Sequence, residues 1–135
     1  MSEREPIRVR DVMKRQFDVV DGMDTVAVAL ERMRHVDTKS LIVRKRHTDD
    51  EYGVVLISDI ARQVLAKDRA PDRVNIYEIM SKPVITVVPE MDIRYCARLF
   101  ARFDLSRAPV VQQGEVIGIV SLTDLVIKGM AQQQG

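Results

Sequence analysis

The chain has one cysteine, Cys96, no tryptophan, and only 4% aromatic residues in a length of 135. A single thiol closes no internal disulfide and cannot by itself anchor a cysteine-based zinc site. So few aromatics leave little on which to stack nucleobases. No surplus of one charge exists either: 21 Lys and Arg face 20 Asp and Glu, a formal net charge of +1. Nucleic-acid binders usually carry a basic excess, so nucleic acid is not expected as a partner. No apolar run approaches the ~18 residues that span a membrane. Residues 1–6 are charged and lack the apolar core of a leader, so a cytoplasmic protein without membrane attachment is expected. His35 and His47 stand far apart with no Cys or acidic cluster at ligand spacing, so no metal site is expected. The chain shows no nucleophile–base pair and no Walker-type glycine loop; no enzyme activity is expected.

What is present is a 46% apolar composition, enough for one compact domain or two small halves sharing a core. One stretch organises the reading: Gly118-Ile119-Val120-Ser121-Leu122-Thr123-Asp124. Its apolar run reads as a buried strand that delivers the chain into an apolar-patterned segment, Leu122 to Met130, whose helix has Ser121 as N-cap and ends near Gly129 as C′ residue. The pattern also occurs earlier as Gly53-Val54-Val55-Leu56-Ile57-Ser58-Asp59.

The rest of the chain repeats around these two junctions. Phe17 to Val20, Leu41 to Val43, Tyr52 to Ile57, Val84 to Val88, Pro109 to Val111 and Val116 to Val120 read as strands. Helices are expected over Val26 to His35 (capped by Asp24 or Thr25), from Ser58 or Asp59 to Ala66, and over Ile93 to Phe103. In the last of these Ile93, Cys96, Ala97, Phe100 and Phe103 share one face. Arg44 to Glu51 is polar throughout and reads as a loop. Asp24 and Asp92 are 68 residues apart, as are Lys39 and Arg107, whereas Gly53 and Gly118, like Asp59 and Asp124, are 65 apart. The first copy's hairpin loop, near His47-Thr48-Asp49-Asp50, is therefore three residues longer. The expected division is repeat 1 at 7–66, a connector at 67–75 and repeat 2 at 76–130, with tails at 1–6 and 131–135. Each repeat is β-α-β-β-α, an α/β (or α+β) unit of roughly 60 residues, marginal alone. Two such units burying their sheet faces predict a pseudo-twofold arrangement with ligand-sized clefts.

The doubled unit resembles a pair of cystathionine-β-synthase (CBS) domains, a Bateman module. The resemblance is carried by Val12-Met13 and Ile79-Met80 at the lead-ins, Ala108-Pro109-Val110-Val111 before the second hairpin, and Gly118 to Asp124 after it. It covers about Ile7 to Met130. It implies a regulatory module that binds an adenosine-containing ligand, AMP, ADP, ATP or S-adenosylmethionine, in a cleft between its repeats. It also implies a homodimer signalling to a regulated protein. The alternative is an interaction module that dimerises without any ligand.

On that resemblance Asp124 accepts hydrogen bonds from ribose hydroxyls, a task suited to an acceptor-only carboxylate. Ser121 and Thr123 flank a helix N-terminus that favours phosphate. The competing reading is that Ser121-x-x-Asp124 is a capping box needing no ligand. Arg107 would take phosphate, or stand as a solvated surface charge. Pro109 and Val110 would wall the adenine opposite Val84 and Ile85, with Ala108 beside them in the ligand-binding set, unless these simply pack the core. Lys82 would reach phosphate or remain exposed. Arg8, Arg10, Lys14 and Arg15 form a basic cluster, either a solvated edge or a source of phosphate contacts. In the first copy Leu56 replaces Ser121, Lys39 replaces Arg107, and Ser40 and Leu41 replace Ala108 and Pro109. A weaker site is therefore expected at Asp59, Ser58, Lys39, Ser40 and Leu41, with Ser58 free to cap. Losing a charge-assisted hydrogen bond costs about 1.5–3 kcal/mol.

Overall fold

Short apolar runs become strands, buried along most of their length at Ser40–Val43 and Gly53–Leu56, and the 3.6-residue patterns become helices. The computed structural model describes residues 5–131, so residues 1–4 and 132–135 of the tails expected at 1–6 and 131–135 lie outside the described residues. In order, the elements are α1 (Val9–Val12), β1 (Val19–Val20), α2 (Val26–Arg32), β2 (Ser40–Val43), β3 (Gly53–Leu56), α3 (Ile57–Ile60), α4 (Ile93–Phe103), β4 (Arg107–Gln112) and β5 (Glu115–Ser121). α3 continues as a π-wound turn, Ala61–Leu65, and a π-wound helix, Asp124–Met130, follows β5. The class is α+β. The chain divides into two compact units: unit 2 is Phe17–Val84, and unit 1 joins the segment ending at Gln16 to the segment starting at Ile85. Each unit therefore takes its lead-in from the other sequence repeat.

Unit 2 is built on a sheet of order β1-β2-β3. β1 runs parallel to β2, with Val19 opposite Ile42, and β3 is antiparallel, with Ser40 opposite Leu56. Its core includes Val26, Leu41, Val55, Val64 and Ile76. Thr25 Oγ1 caps α2 by accepting from the Val28 amide at 3.2 Å. α2 stops at Arg32 rather than His35 for a visible reason. The Asp18 carboxylate accepts from the amides of Arg34 (3.0 Å) and His35 (2.8 Å), and so draws the chain out of the helix.

Unit 1 pairs β4 with β5 in an antiparallel hairpin. Its turn residues Gln113 and Gly114 both have positive φ, 52° and 80°, the twist that matches a two-residue hairpin. Phe100, Cys96, Val9, Val110 and Val120 fill the core. Burial pushes the Cys96 thiol pKa up to about 11, as befits a small core hydrophobe. α4 has the bounds its pattern predicts, but Phe103 is 50% exposed. The left-handed Asp104 (φ 54°) turns the chain back, and the Leu105 amide bonds to Phe100 O at 2.9 Å, so Leu105 packs on the core instead.

Two further expectations are corrected. Val84 to Val88 is not a strand: between the donor-less Pro83 and Pro89, only Val87 bridges, in parallel to Val110. Gly129 does not end its helix. It lies buried inside the π-wound turn, where a Cβ would stand 2.5 Å from Ile93 Cδ1, so its missing side chain lets that turn approach α4.

Candidate functional site

The site begins with a close backbone approach. A Cβ on Gly118 would fall 2.7 Å from Lys14 O and 2.8 Å from Met13 Sδ, so only glycine fits. With that space open, the segment after α1 bridges β5: Lys14 N donates to Ile119 O (2.8 Å) and Ile119 N donates to Lys14 O (2.9 Å). The bridge brings Lys14 to the start of the last helix. There its Nζ lies 2.6 Å from Asp124 Oδ1. Lys128 Nζ is 3.4 Å from the same oxygen. Asp124 Oδ2 accepts from the Ser121 amide (3.1 Å) and hydroxyl (3.0 Å), while the Asp124 amide donates to Ser121 Oγ (3.2 Å).

Asp124 is 2% exposed and Ser121 8%. Burial works against the charge on Asp124. The hydrogen bonds from Lys14 and Ser121 outweigh it and hold the carboxyl below the usual carboxylate range. The result is a buried, ionised carboxylate at a strand-to-helix junction. The capping-box reading of Ser121 and Asp124 is thus realised in the geometry. Lys14 is what the sequence did not reveal: it was visible only as one member of a basic cluster, 110 residues from its partner.

The other expected residues are placed as follows. Arg107 stands opposite Ser121 in the hairpin, half-buried, and its Nε donates to Ser106 Oγ at 3.3 Å. Burial lowers its pKa, and the charge of Asp124 opposes that. Ala108 and Pro109 are buried, and Pro109 O accepts from the Val87 amide at 3.0 Å. Ile85 is half-buried and Thr123 exposed. Lys82 and Val84 belong to unit 2. There Lys82 Nζ pairs with Asp50 at 2.7 Å.

Unit 2 repeats the scaffold without the charge network. Ser81 bridges Val54 beside Gly53, as Lys14 bridges Ile119 beside Gly118. Asp59 Oδ2 accepts from the Leu56 amide (2.9 Å), and Oδ1 accepts from the Arg62 guanidinium (3.0 Å). Ser58 makes no cap, because α3 starts one residue earlier, at Ile57; the capping falls to Asp59. Lys39 is exposed at φ 55°. The Ser40 hydroxyl donates to Thr38 O at 3.1 Å, and Leu41 lies fully in the core. Among the described residues no group of three His, Cys, Asp or Glu is placed to share a metal ion, and no helix is long and apolar enough to cross a membrane.

Comparison with known proteins agrees with this architecture. The uncharacterized protein MK0525 of Methanopyrus kandleri is 31% identical over 89% of this chain, which spans 61% of that protein's length. The hexameric CBS-CP12 protein from bloom-forming cyanobacteria superimposes with a TM-score of 0.88 and 36% identity, over 94% of this chain and 73% of that one. The CBS domain pair of protein MJ0100, solved with 5′-methylthioadenosine and S-adenosyl-L-methionine, shares the fold at a TM-score of 0.78 and 22% identity, over 95% of this chain and 99% of that one. The CBS domain family model matches twice, over residues 9–66 and 76–129. With two copies of that domain filling most of its length, the chain belongs to the CBS-domain family.

Proposed function

We propose that this CBS pair is a regulatory module that binds an adenosine-containing ligand at the Ser121–Asp124 junction of unit 1 and passes the signal to a partner protein. The observation that carries the reading is the buried, ionised Asp124 at the mouth of the last helix, flanked by the cations Lys14 and Arg107. A carboxylate accepts two donors from a vicinal diol, and Lys14 moves from Oδ1 to the ligand phosphate or to solvent as ribose enters. The adenosine compounds bound by the MJ0100 pair support the same ligand class. Unit 2 lacks the hydroxyl at Leu56 and engages Asp59 with Arg62, so its junction is the weaker site.

The test is calorimetric titration and thermal shift with AMP, ADP, ATP, S-adenosylmethionine and NADH. At a concentration of about 100 Kd a ligand stabilises the fold by about 2.7 kcal/mol. Binding that Asp124→Ala abolishes supports the reading; no binding by any of these compounds overturns it.

A second reading rests on a different observation. Leu122, Val126, Ile127 and Met130 on the last helix are 42–64% exposed, an apolar strip on a helix whose Asp124 is already satisfied by the chain's own groups. This supports a homodimer formed through that helix without any ligand. A dimer seen by ultracentrifugation, kept in Asp124→Ala but lost in Val126→Glu, would favour it.

A further inference from the structure

Unit 2 holds a cavity of about 280 Å³ that lies away from that unit's own Asp59 junction. β2 has the Lys39 junction at one end, where the Ile57 amide meets Lys39 O. The cavity is at the other end, where Arg44 N meets Val20 O at 2.9 Å. Met23, Val43, Tyr77 and Met80 form its apolar wall, and Arg44, Arg46 and Lys82 its cationic rim.

The walls are tied to one another. Tyr77 N donates to Gly22 O at 2.9 Å, Met23 N donates to Asp21 Oδ1 at 2.8 Å, and Ser81 N donates to Val54 O at 2.9 Å. Asp50 holds the rim: its two oxygens lie 2.7 and 2.8 Å from Lys82 Nζ, and Oδ2 also accepts from the Arg46 amide at 2.8 Å. Lys82 and this amide hold the Asp50 carboxyl well below the usual carboxylate range, so the tie persists into acid. By contrast, the guanidiniums of Arg44 and Arg46 have no hydrogen bond or ion pair among the described residues. Asp21, the lone carboxylate on the cavity wall, already accepts the Met23 amide.

Three cations converging on a braced hollow, two of them without a counter-charge, suit an anion. Two guanidinium forks and an ammonium offer more donors than the two oxygens of a carboxylate take, and match the oxygens of a phosphoryl group. The volume sits at the small end of ligand cavities, room for a phosphate and about one ring. We infer that this cavity is a separate site for a small organic phosphate, whose phosphoryl group meets Arg44, Arg46 and Lys82 and whose apolar body lies on Tyr77 and Met80. It does not depend on the junction reading, since none of its lining residues belongs to the Ser121–Asp124 network.

The test uses the full chain, labelled for amide NMR and titrated with phenyl phosphate, inorganic phosphate and benzyl alcohol. The expected result is a saturable shift of the Gly22, Met23, Arg44 and Tyr77 amides with phenyl phosphate. Inorganic phosphate gives the same pattern more weakly, and benzyl alcohol gives none. Arg44→Gln with Arg46→Gln should weaken phenyl phosphate by tenfold or more, at unchanged melting temperature because both side chains are exposed. Asp124→Ala should leave this affinity as it was. Shifts confined to Ser121–Asp124, no saturable shift at the cavity, or equal affinity in the double variant would each overturn the proposal.

Discussion

The two strand-to-helix junctions use one backbone design and reach different chemistry. In each, a glycine opens space for a lead-in residue to bridge the strand: Gly118 admits Lys14, and Gly53 admits Ser81. In each, an aspartate three residues after the strand end caps the following helix. The lead-in residue makes the difference. Lys14 carries a cation to a carboxylate that is 2% exposed, whereas Ser81 carries none, and Asp59, with an 18% exposed side chain, settles for an Arg62 that is mostly in solvent. The scaffold fixes where an acid will stand, and a single lead-in side chain decides whether that acid becomes a buried charge centre or a surface cap.

Removing each acid in turn is the strongest way to break the comparison. Asp124→Ala strands Lys14 beside a buried junction and deletes the cap, and should destabilise by about 3 kcal/mol. Asp59→Ala removes a cap and an exposed pair, so about 1 kcal/mol is expected. Urea denaturation of both variants measures the gap; equal losses would mean that burial of the Lys14–Asp124 pair contributes nothing special.

The glycines give the next contrast. Gly118→Ala drives a methyl against backbone, Lys14 O at 2.7 Å, which the side chains cannot relieve by turning aside. Gly53→Ala meets Met80 Sδ at 3.0 Å and Ser81 O at 3.2 Å, and the flexible Met80 can yield. Overpacking of about 1–3 kcal/mol is expected at Gly118, and less at Gly53. Gly118→Ala should also loosen the Lys14 bridge, which is read as faster hydrogen exchange at the Lys14 and Ile119 amides.

What was legible in the sequence follows the range of the interactions. α4 was readable to the residue because three helical turns carry one apolar face; the structure adds its cap, Asp92, whose Oδ1 accepts from the Arg94 amide at 2.8 Å. The Ser121–Asp124 cap was readable because the two residues stand three apart. Lys14 was not, since its role depends on a bridge made by backbone and a contact 110 residues away. The end of α2 was misplaced for the same reason, with Asp18 acting 16 and 17 residues away. The unit 2 cavity was hidden because Arg44 and Arg46 look, in one dimension, like any polar loop; only the folded β1 and β2 ends set them beside Tyr77 and Lys82.

The smallest contrast lies at the helix starts. Asp92 accepts from the Arg94 amide and from its guanidinium, at 3.1 and 2.8 Å, and its pKa falls from 3.8 to about 2, chiefly through those Arg94 hydrogen bonds. Its counterpart Asp24 accepts the Asp21 amide at 3.2 Å and leaves the capping of α2 to Thr25. Asp92→Ala should therefore cost about 1 kcal/mol and Asp24→Ala less. The pH signature is specific to Asp92. A carboxyl whose folded pKa is depressed stabilises fully above its unfolded value and loses that share as pH falls through the folded one. Between pH 3.8 and about 2, Asp92→Asn should thus flatten the acid loss of stability relative to the parent. The slope that remains belongs in part to Asp124, whose pKa is shifted in the same direction. Parallel acid curves for parent and Asp92→Asn would show that the Arg94 bonds do not hold the charge in solution.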